Sequence, residues 1–168
     1  MENNSFHQLW LEKLADLYSA EEQIVNFLPD VIDVTMDYEL KTAFEKHLNQ
    51  TKEHINKLEE LESKLGEDLP TIECKGIKAI IKEGEKQMMD QKQKEILDAV
   101  LIASAQQIEH YEICGYGTAI MWAQTMGHED WAKVLKSIME EEEETDEKLS
   151  KLAENEINRR AFEAGEVQ

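Results

Sequence analysis

The stretch that decides the fold is QQIEHYEICGY, from Gln106 to Tyr116, in the middle of a long helical pattern. An α-helix advances about 100° per residue, so positions i, i+3, i+4 and i+7 share one face. Glu109 and Glu112 fall on the face that otherwise carries apolar side chains. A buried carboxylate has to be paired, protonated or bound to a metal ion. The sequence therefore predicts partners for these two residues elsewhere in the fold.

The composition is typical of a helical domain. The chain has 168 residues, of which 41% are hydrophobic and 33% charged, with only 7 glycines and 2 prolines. This length allows one domain with a hydrophobic core, and the scarcity of turn formers favours helices. The formal net charge of −19 argues against binding to nucleic acid or to an anionic membrane, since both need clustered lysines and arginines.

The sequence favours a cytoplasmic location. The segment MENNSFHQLW lacks a basic region followed by an apolar run, so no secretory signal is predicted. No apolar stretch approaches the ~20 residues of a membrane span. Cys74 and Cys114 are far apart and without zinc-ligand spacing, which favours reduced thiols, although the sequence leaves a disulfide open.

The spacing of apolar residues predicts a single domain over residues 1–168, with four long helices and one short helix. Pro29 lies inside the first helix, so we expect a kink between Val25 and Phe27 rather than a stop. Gly66 and Gly127 mark two helix ends. The predicted helices cover residues 5–34, 39–65, 74–87, 94–126 and 129–161.

The lengths of the connections predict the topology. The first and second long helices are joined tightly, as are the third and fourth, so each pair is expected to be antiparallel. Residues 66–93 form a long connection that carries the short helix. One long crossover is typical of the all-α, ferritin-like antiparallel four-helix bundle and differs from the simple up-down-up-down form.

Inward-facing polar residues lie at matching depths in the two predicted hairpins. In the first hairpin, Glu21 and Gln50 lie about 15 residues on either side of a turn centred near Met36. In the second hairpin, Glu112 and Glu142 lie 15 residues on either side of the turn. At ~1.5 Å of rise per residue, all four fall near the middle of the bundle.

One helical turn deeper, a second set of inward polar residues completes a candidate metal site. Carboxylates and imidazoles converging from four helices are typical of di-iron and di-manganese sites, which usually take Glu from two helices and Glu-x-x-His from the other two. Such ligands suit iron or manganese, so we expect one of these metals as the cofactor, with room for two ions. The predicted ligands are Glu21, Gln50, His54, Glu109, Glu112, Glu142 and Asp146.

The second helix departs from the usual ligand pattern. Gln50 and His54 stand where Glu-x-x-His is expected, and glutamine is a weaker ligand than glutamate. His47 is closer to the turn and is interpreted as an outer partner or a satisfied buried imidazole. The sequence leaves open which of these two histidines approaches the site. Asp146 has an alternative role as acceptor of a hydrogen bond from a tyrosine.

Four stretches resemble the bacterial YciF-like stress proteins, a ferritin-like family built on a domain of unknown function. They are DLYSAEEQ at 16–23, HLNQT at 47–51, IEHYEICGYGT at 108–118 and EEEETDEKL at 141–149. The resemblance covers nearly the whole chain and implies a ferritin-like fold, usually dimeric, with a rubrerythrin-like metal site. Family members usually carry Glu where this chain has Gln50, so the resemblance implies a dinuclear site with one ligand weaker than in the family. The ligands implied by this match are Glu21, position 50, Glu109, Glu112, Glu142 and Asp146.

Two functions follow as alternatives. The first is a stress-associated protein with a di-metal site and an oxidative-stress or iron-related role, acting on a small oxidant such as oxygen or peroxide. The second is a non-enzymatic structural or stress protein that kept the bundle and lost the full metal site, which the glutamine at position 50 favours.

Other functions have less support in the sequence. Iron storage in a large cage is disfavoured because no shell-building segment is recognisable. A homodimer is expected instead, partly because Trp10, Trp122 and Trp131 supply more apolar surface than one small bundle needs. Nucleophilic catalysis lacks a serine or cysteine with a paired base.

Overall fold

The computed structural model describes residues 5–166 of the chain. These residues contain six α-helices and one π-helical turn, joined by turns and loops. Residues 1–4 and 167–168 of the predicted domain lie outside this range. The ferritin-like four-helix bundle predicted from the sequence is confirmed. The elements are α1 (Phe6–Val34), α2 (Tyr38–Leu65), α3 (Lys75–Asp90), α4 (Lys94–Thr125), α5 (Glu129–Leu152), the π-helical turn (Ala153–Ile157) and α6 (Asn158–Gly165).

Local sequence explains four of the helix ends. The side chains of Ser5 and Asp37 cap α1 and α2 by accepting hydrogen bonds from backbone N–H groups of the first turn. Gly66 ends α2 and Gly127 turns the chain between α4 and α5, with φ of 67° and 80° in the left-handed region that favours glycine. α1 continues through Pro29, which removes a helical hydrogen bond without ending the helix.

The last predicted helix, 129–161, is divided by the π-helical turn. Leu149, Ala153 and Ile157 recur at steps of four residues and are all buried. A step of four exceeds the 3.6 residues of an α-helical turn, and a wider turn keeps such a series on one face. The π-helical turn therefore holds these side chains against α4, which it contacts.

The four long helices form a closed ring in which every neighbouring pair is antiparallel. α1 contacts α2 and α4, and α5 contacts the same two helices. At one end, the indole nitrogen of Trp10 donates a hydrogen bond to the carbonyl of Ala119, joining the start of α1 to the end of α4. Toward the other end, Nζ of Lys148 on α5 lies 3.9 Å from Oε2 of Glu39 on α2. The crossover carries α3 along the outside of α1 and α4.

The core consists of two apolar clusters, one toward each end of the bundle. Leu17 and Tyr116 belong to the cluster at the end of Trp10, whereas Ile24 and Ile108 belong to the other. On each long helix one or more buried polar residues separate the two clusters. The bundle therefore has a polar layer across its middle.

Asp98 of α4 fixes the turn between α1 and α2. Its two carboxylate oxygens accept hydrogen bonds of 2.9 Å from the backbone N–H groups of Met36 and Asp37. Arg160 of α6 pairs with the side chain of Asp37. These contacts tie the first hairpin to the second.

Cys74 and Cys114 are both free, and only Cys74 is buried. Within residues 5–166, none of the helices has the length and apolar character needed to cross a membrane.

Candidate metal centre

The polar layer contains four glutamates and two histidines, none of which exposes more than 2% of its surface. Each of the four long helices contributes one or two of these residues, because polar side chains interrupt the apolar face of each helix at the same depth. The members are Glu21 from α1, His47 and His54 from α2, Glu109 and Glu112 from α4, and Glu142 from α5.

These six residues, the mid-bundle cluster, form two overlapping groups. Within each group, one nitrogen or oxygen atom per residue lies within 4.8 Å of the others. Glu142 belongs to both groups. A carboxylate shared between two ligand groups is the arrangement of a dinuclear centre. The first group is His47, Glu109, Glu112 and Glu142, and the second is Glu21, His54 and Glu142.

The side chains of the cluster approach one another closely. Nδ1 of His54 lies 2.9 Å from Oε1 of Glu142 and 3.3 Å from Oε1 of Glu21. Nε2 of His47 lies 3.1 Å from Oε1 of Glu109, and its Nδ1 lies 3.8 Å from Oε2 of Glu142. Despite these distances, the atoms are not aligned as hydrogen-bond donors and acceptors.

Most polar atoms of the cluster have no hydrogen-bond partner among residues 5–166. This holds for both ring nitrogens of His47, for Nδ1 of His54 and for both oxygens of Glu109, Glu112 and Glu142. Buried polar atoms are rarely left unpaired in proteins. Neighbouring ligands of an octahedral ion with bonds of about 2.1 Å lie about 3.0 Å apart, close to the contacts found here. The cluster therefore fits cations lying between its side chains.

The charge of the cluster also fits two divalent ions. Four ionised glutamates carry four negative charges, which two divalent cations neutralise, and metal-bound imidazoles are neutral. The usual ferritin-like site likewise has four glutamates and two histidines. In this protein the same four glutamates and two histidines are divided among the helices in a different way. Both histidines come from α2, and α4 supplies the pair Glu109-x-x-Glu112.

Burial governs the pKa values of the carboxyl groups in the absence of metal. It raises the pKa of Glu109 to about 8 and that of Glu142 to about 7. It also raises the pKa of Glu112 well above its ordinary value, and the neighbouring carboxylates of Glu21 and Glu142 add to this effect. The metal-free cluster therefore holds protons that cations would displace.

The two histidines respond differently to burial. Burial lowers the pKa of His47, and the nearby carboxylates of Glu142 and Glu21 offset only part of this effect. Burial also acts to lower the pKa of His54, but contacts with Glu142 and Glu21 outweigh it and raise the pKa to about 11. In the metal-free protein His47 is neutral and His54 is protonated.

The metal-free protein is expected to lose stability as the pH rises from about 7 to about 8.5. Folded Glu109, whose pKa is about 8, keeps its proton in the lower part of this window, and His54, whose pKa is about 11, keeps it throughout, whereas unfolded glutamate and histidine have pKa values of about 4.3 and 6.5. The folded state then binds more protons, so the free energy of unfolding falls by about 1.4 kcal/mol per pH unit for each extra proton. Urea unfolding of chelator-treated protein measures the change, and a midpoint that rises with pH would contradict the prediction.

Glu141 and Lys57 hold His54 from outside the cluster. Nε2 of His54 lies 2.8 Å from Oε2 of Glu141, and Nζ of Lys57 lies 3.3 Å from the other carboxylate oxygen. A hydrogen bond from Nε2 leaves Nδ1 free to face Glu21 and Glu142. On the opposite side, the hydroxyl of the buried Tyr116 donates to Oε1 of Glu21.

Replacing Glu141 with Gln is expected to weaken metal binding by about 10- to 100-fold, because a neutral amide holds the imidazole less firmly than a carboxylate does. Competition with a coloured chelator measures the affinity. Glu140→Gln removes a charge from the exposed face of the same helix and is the matched control. Equal affinities for the two variants would show that the contact with His54 does not support metal binding.

The structure brings together five of the seven ligands predicted from the sequence, namely Glu21, His54, Glu109, Glu112 and Glu142. It also adds His47, which the sequence interpretation favoured as an outer partner while leaving open which of the two histidines approaches the site. The sequence did contain a signal for His47. It lies seven residues before His54, a spacing that places the two histidines within about 20° of each other around the helix. Both histidines approach the site, although all ligand roles stay predictions.

Asp146 lies outside both ligand groups, and the Oε1 of Gln50 is buried without a hydrogen-bond partner among residues 5–166. Gln50 lies three residues from His47, about 60° away around the helix, and lines a groove between α2 and α5. Asp146 lies one turn beyond Glu142 and accepts a 3.0 Å hydrogen bond from the side-chain amide of Gln106. Asp146 therefore bridges α4 and α5 beside the cluster. Its partner is an amide rather than the tyrosine that the sequence suggested.

The fold and the cluster define a ferritin-like four-helix bundle with a buried carboxylate–histidine layer, and sequence comparison assigns its family. The chain belongs to the family described as a domain of unknown function, DUF892, whose profile matches residues 5–162. Protein YciF of Escherichia coli (strain K12) is 35% identical over 162 residues, covering 96% of this chain and 98% of that protein. The predicted resemblance to YciF-like proteins is therefore confirmed.

Solved structures agree with this assignment. The crystal structure of the E. coli stress protein YciF matches with a TM-score of 0.86 at 34% identity, over 92% of this chain and 98% of that one. YcfI from Rhodopseudomonas palustris, described as a candidate structural protein, also gives a TM-score of 0.86 at 34% identity, over 89% of this chain and 97% of its own. A protein from Xanthomonas campestris, 19% identical, shares the fold with a TM-score of 0.74, over 96% of this chain and 99% of its own.

Proposed function

We propose that this protein is a stress-associated metalloprotein that binds two ions of iron or manganese in the mid-bundle cluster. The observation that carries the proposal is the set of buried ligand atoms that lie close together without hydrogen-bond partners among residues 5–166. Without metal, His54 gains ion pairs with Glu142 and Glu21, whereas the polar atoms of His47, Glu109 and Glu112 have no hydrogen-bond partner among residues 5–166. The relationship to a protein described as a stress protein supports the cellular context.

The residues in and around the cluster have different roles in the proposed function. Glu142 lies between the two ligand groups and would be shared by both ions. Bound iron or manganese would supply electron transfer to a small oxidant such as oxygen or peroxide. Tyr116 orients Glu21 through its hydroxyl, and Glu141 orients His54. The two apolar clusters exclude bulk water from either side of the polar layer.

The alternative is a structural stress protein without metal chemistry, a description close to that of YcfI. In the sequence, this alternative was favoured by the glutamine at position 50. That glutamine leaves the carboxylates and imidazoles of both ligand groups in place, and its own Oε1 is buried without a hydrogen-bond partner among residues 5–166. The six remaining residues supply the usual number of carboxylates and imidazoles without it.

The proposal is tested by counting the metal ions that the protein holds. Chelator-treated protein, titrated with Mn²⁺ or anaerobic Fe²⁺ and then desalted, is expected to retain two ions per chain by elemental analysis. A protein that retains no iron, manganese or zinc after reconstitution would overturn the proposal and favour the structural alternative. The expected homodimer stays a separate prediction, which sedimentation at micromolar concentration would measure.

Gln50→Glu and Asp146→Asn are expected to leave the number of bound ions unchanged. Asp146 is held by Gln106 outside the ligand groups and Gln50 lines the groove between α2 and α5, so neither substitution removes one of the six residues of the cluster. Elemental analysis of the two variants beside the unaltered protein measures this. An additional ion in Gln50→Glu would show that position 50 enters the site, as the usual Glu-x-x-His pattern implies.

A further inference from the structure

A patch of apolar side chains lies on the surface at the end of the bundle where α1 begins and α4 ends. This α1–α4 patch consists of Phe6 and Leu9 from α1 and of Cys114, Met121 and Trp122 from α4. The ring of Phe6 packs against that of Trp122, with centroids 5.5 Å apart, and so joins the two helices. Phe6, Leu9 and Met121 expose 43%, 42% and 59% of their surface. Contiguous exposed apolar patches mark sites of association.

The α4 part of this patch is free of charge. From Ile113 to Gly127 the chain has no Asp, Glu, Lys or Arg, although 33% of all its residues are charged. Cys114, Met121 and Thr125 of this segment are exposed at helical spacing, so they share one outer face. The opposite face of α4 is packed inside the bundle. A helix without charge on either side is typical of one that other protein covers.

Two other large apolar side chains are even more exposed but stand next to charges. Met89 exposes 69% of its surface and precedes Asp90, and Phe162 exposes 68% and precedes Glu163. Single exposed apolar residues of this kind are normal on protein surfaces. The α1–α4 patch differs from them because its members adjoin one another and α4 adds no charge.

The tryptophans that suggested a homodimer from the sequence do not form this surface together. Trp10 is fully buried and stacks on Trp131, with ring centroids 5.1 Å apart. Their contact is therefore made within one chain. Of the three tryptophans, Trp122 is the one that joins the patch, through its contact with Phe6.

Charge favours a second copy of this chain as the partner at the patch. The formal net charge of the chain is −19. Two copies repel each other where their acidic surfaces meet, and least where neither surface carries charge. A basic partner would be attracted to the acidic faces instead, and an anionic membrane would be repelled. An uncharged patch therefore fits an identical uncharged patch.

We propose that two copies of this chain associate through the α1–α4 patch about a two-fold axis. Such an axis brings the same patch of both copies together, so the association closes at two chains. Trp122, Phe6 and Met121 supply residue types that are enriched in the cores of protein interfaces. The association covers the outer side of the helix that supplies Glu109 and Glu112 to the mid-bundle cluster, and it needs no metal ion.

Two matched pairs of substitutions test the surface. Met121→Glu places a carboxylate on the patch of each copy, and like charges facing each other are expected to raise the dissociation constant by at least about 100-fold. Met89→Glu makes the same change at an exposed methionine outside the patch and should leave the constant unchanged. Phe6→Glu and Phe162→Glu are the second pair, with the same expected contrast. Sedimentation equilibrium over a range of concentrations measures association, and circular dichroism confirms folding.

Cys114 provides a local readout in the unaltered protein. Its thiol is exposed in the single chain, whereas that of Cys74 is buried. Labelling of Cys114 by an aromatic disulfide is expected to slow as the protein concentration rises through the dissociation constant. In Met121→Glu the labelling rate should stay the same over this range of concentrations. A rate that is independent of concentration in the unaltered protein would contradict coverage of the patch.

Three further results would overturn the proposal. They are an unaltered protein that stays monomeric, a dimer that Met121→Glu leaves intact, and an assembly that keeps growing with concentration. A monomer that binds vesicles of uncharged lipid, and loses this binding in Met121→Glu, would assign the patch to a membrane surface instead.

The experiment is independent of the proposed metal centre. Sedimentation and labelling are carried out on chelator-treated protein, so they give the same answer whether or not the chain binds metal. A dimer formed through the patch by a chain that binds no metal would support this inference and refute only the metal centre. A monomer that holds two ions would refute only the association.

Discussion

Glu142→Gln is expected to weaken metal binding by at least about 100-fold, the upper end of what loss of an outer partner costs. Glu142 is the only residue common to the two ligand groups, and the amide loses both a negative charge and a ligand oxygen. The remaining three glutamates then cannot neutralise two divalent ions. Elemental analysis after reconstitution is expected to find less than one ion per chain in place of two.

The control for this substitution is Glu144→Gln, which makes the same chemical change on the exposed face of α5. Its metal content and affinity should equal those of the unaltered protein. If Glu142→Gln also retained two ions, the shared position of this carboxylate would not reflect a role as ligand, and the dinuclear assignment would fail. Unfolding of both variants in urea shows whether a loss of binding stems from a loss of fold.

Glu112→Met is expected to stabilise the metal-free protein while reducing its metal content. Glu112 is fully buried, and neither carboxyl oxygen has a hydrogen-bond partner among residues 5–166. Burying such a group unpaired costs about 1–3 kcal/mol, and methionine fills a similar volume without polar atoms. The melting temperature of the metal-free protein is expected to rise by about 2–4 °C for each kcal/mol gained. The first ligand group loses one of its four residues, so fewer than two ions should be bound.

Gln107→Met, on the exposed face of α4, is the control and should change the free energy of unfolding by less than about 0.5 kcal/mol. A lower stability of metal-free Glu112→Met would show that Glu112 has favourable partners when metal is absent, such as ordered water. The expected pattern, in which the same residue costs stability and provides binding, is typical of functional sites.

Apolar periodicity and loop length were sufficient to predict the architecture. The tight turns near Met36 and Gly127 and the long connection between them specify two antiparallel hairpins joined by a crossover. These signals are local, since each depends on the spacing of neighbours along one helix. For the same reason the sequence did not show the contact of Asp98 with the α1–α2 turn, which joins residues more than 60 positions apart.

Depth along the bundle could also be predicted, because rise per residue is nearly constant in a helix. It placed Glu21, Glu109, Glu112 and Glu142 in the middle of the bundle, where the structure brings them together. Direction around each helix was less well determined. Gln50 has the right depth and also lines a groove between α2 and α5, and His47 reaches the cluster from two turns before His54.

The sequence by itself determined a four-helix ferritin-like bundle and a layer of acids across its middle, because both follow from periodicity and counting. Only the tertiary structure decided which polar side chains face one another. Asp146 pairs with Gln106, Glu141 reaches back to His54, and Glu142 lies between two ligand groups. Helix rotation and axial offset fix such contacts, and both arise from the packing of the two apolar clusters on either side of the layer.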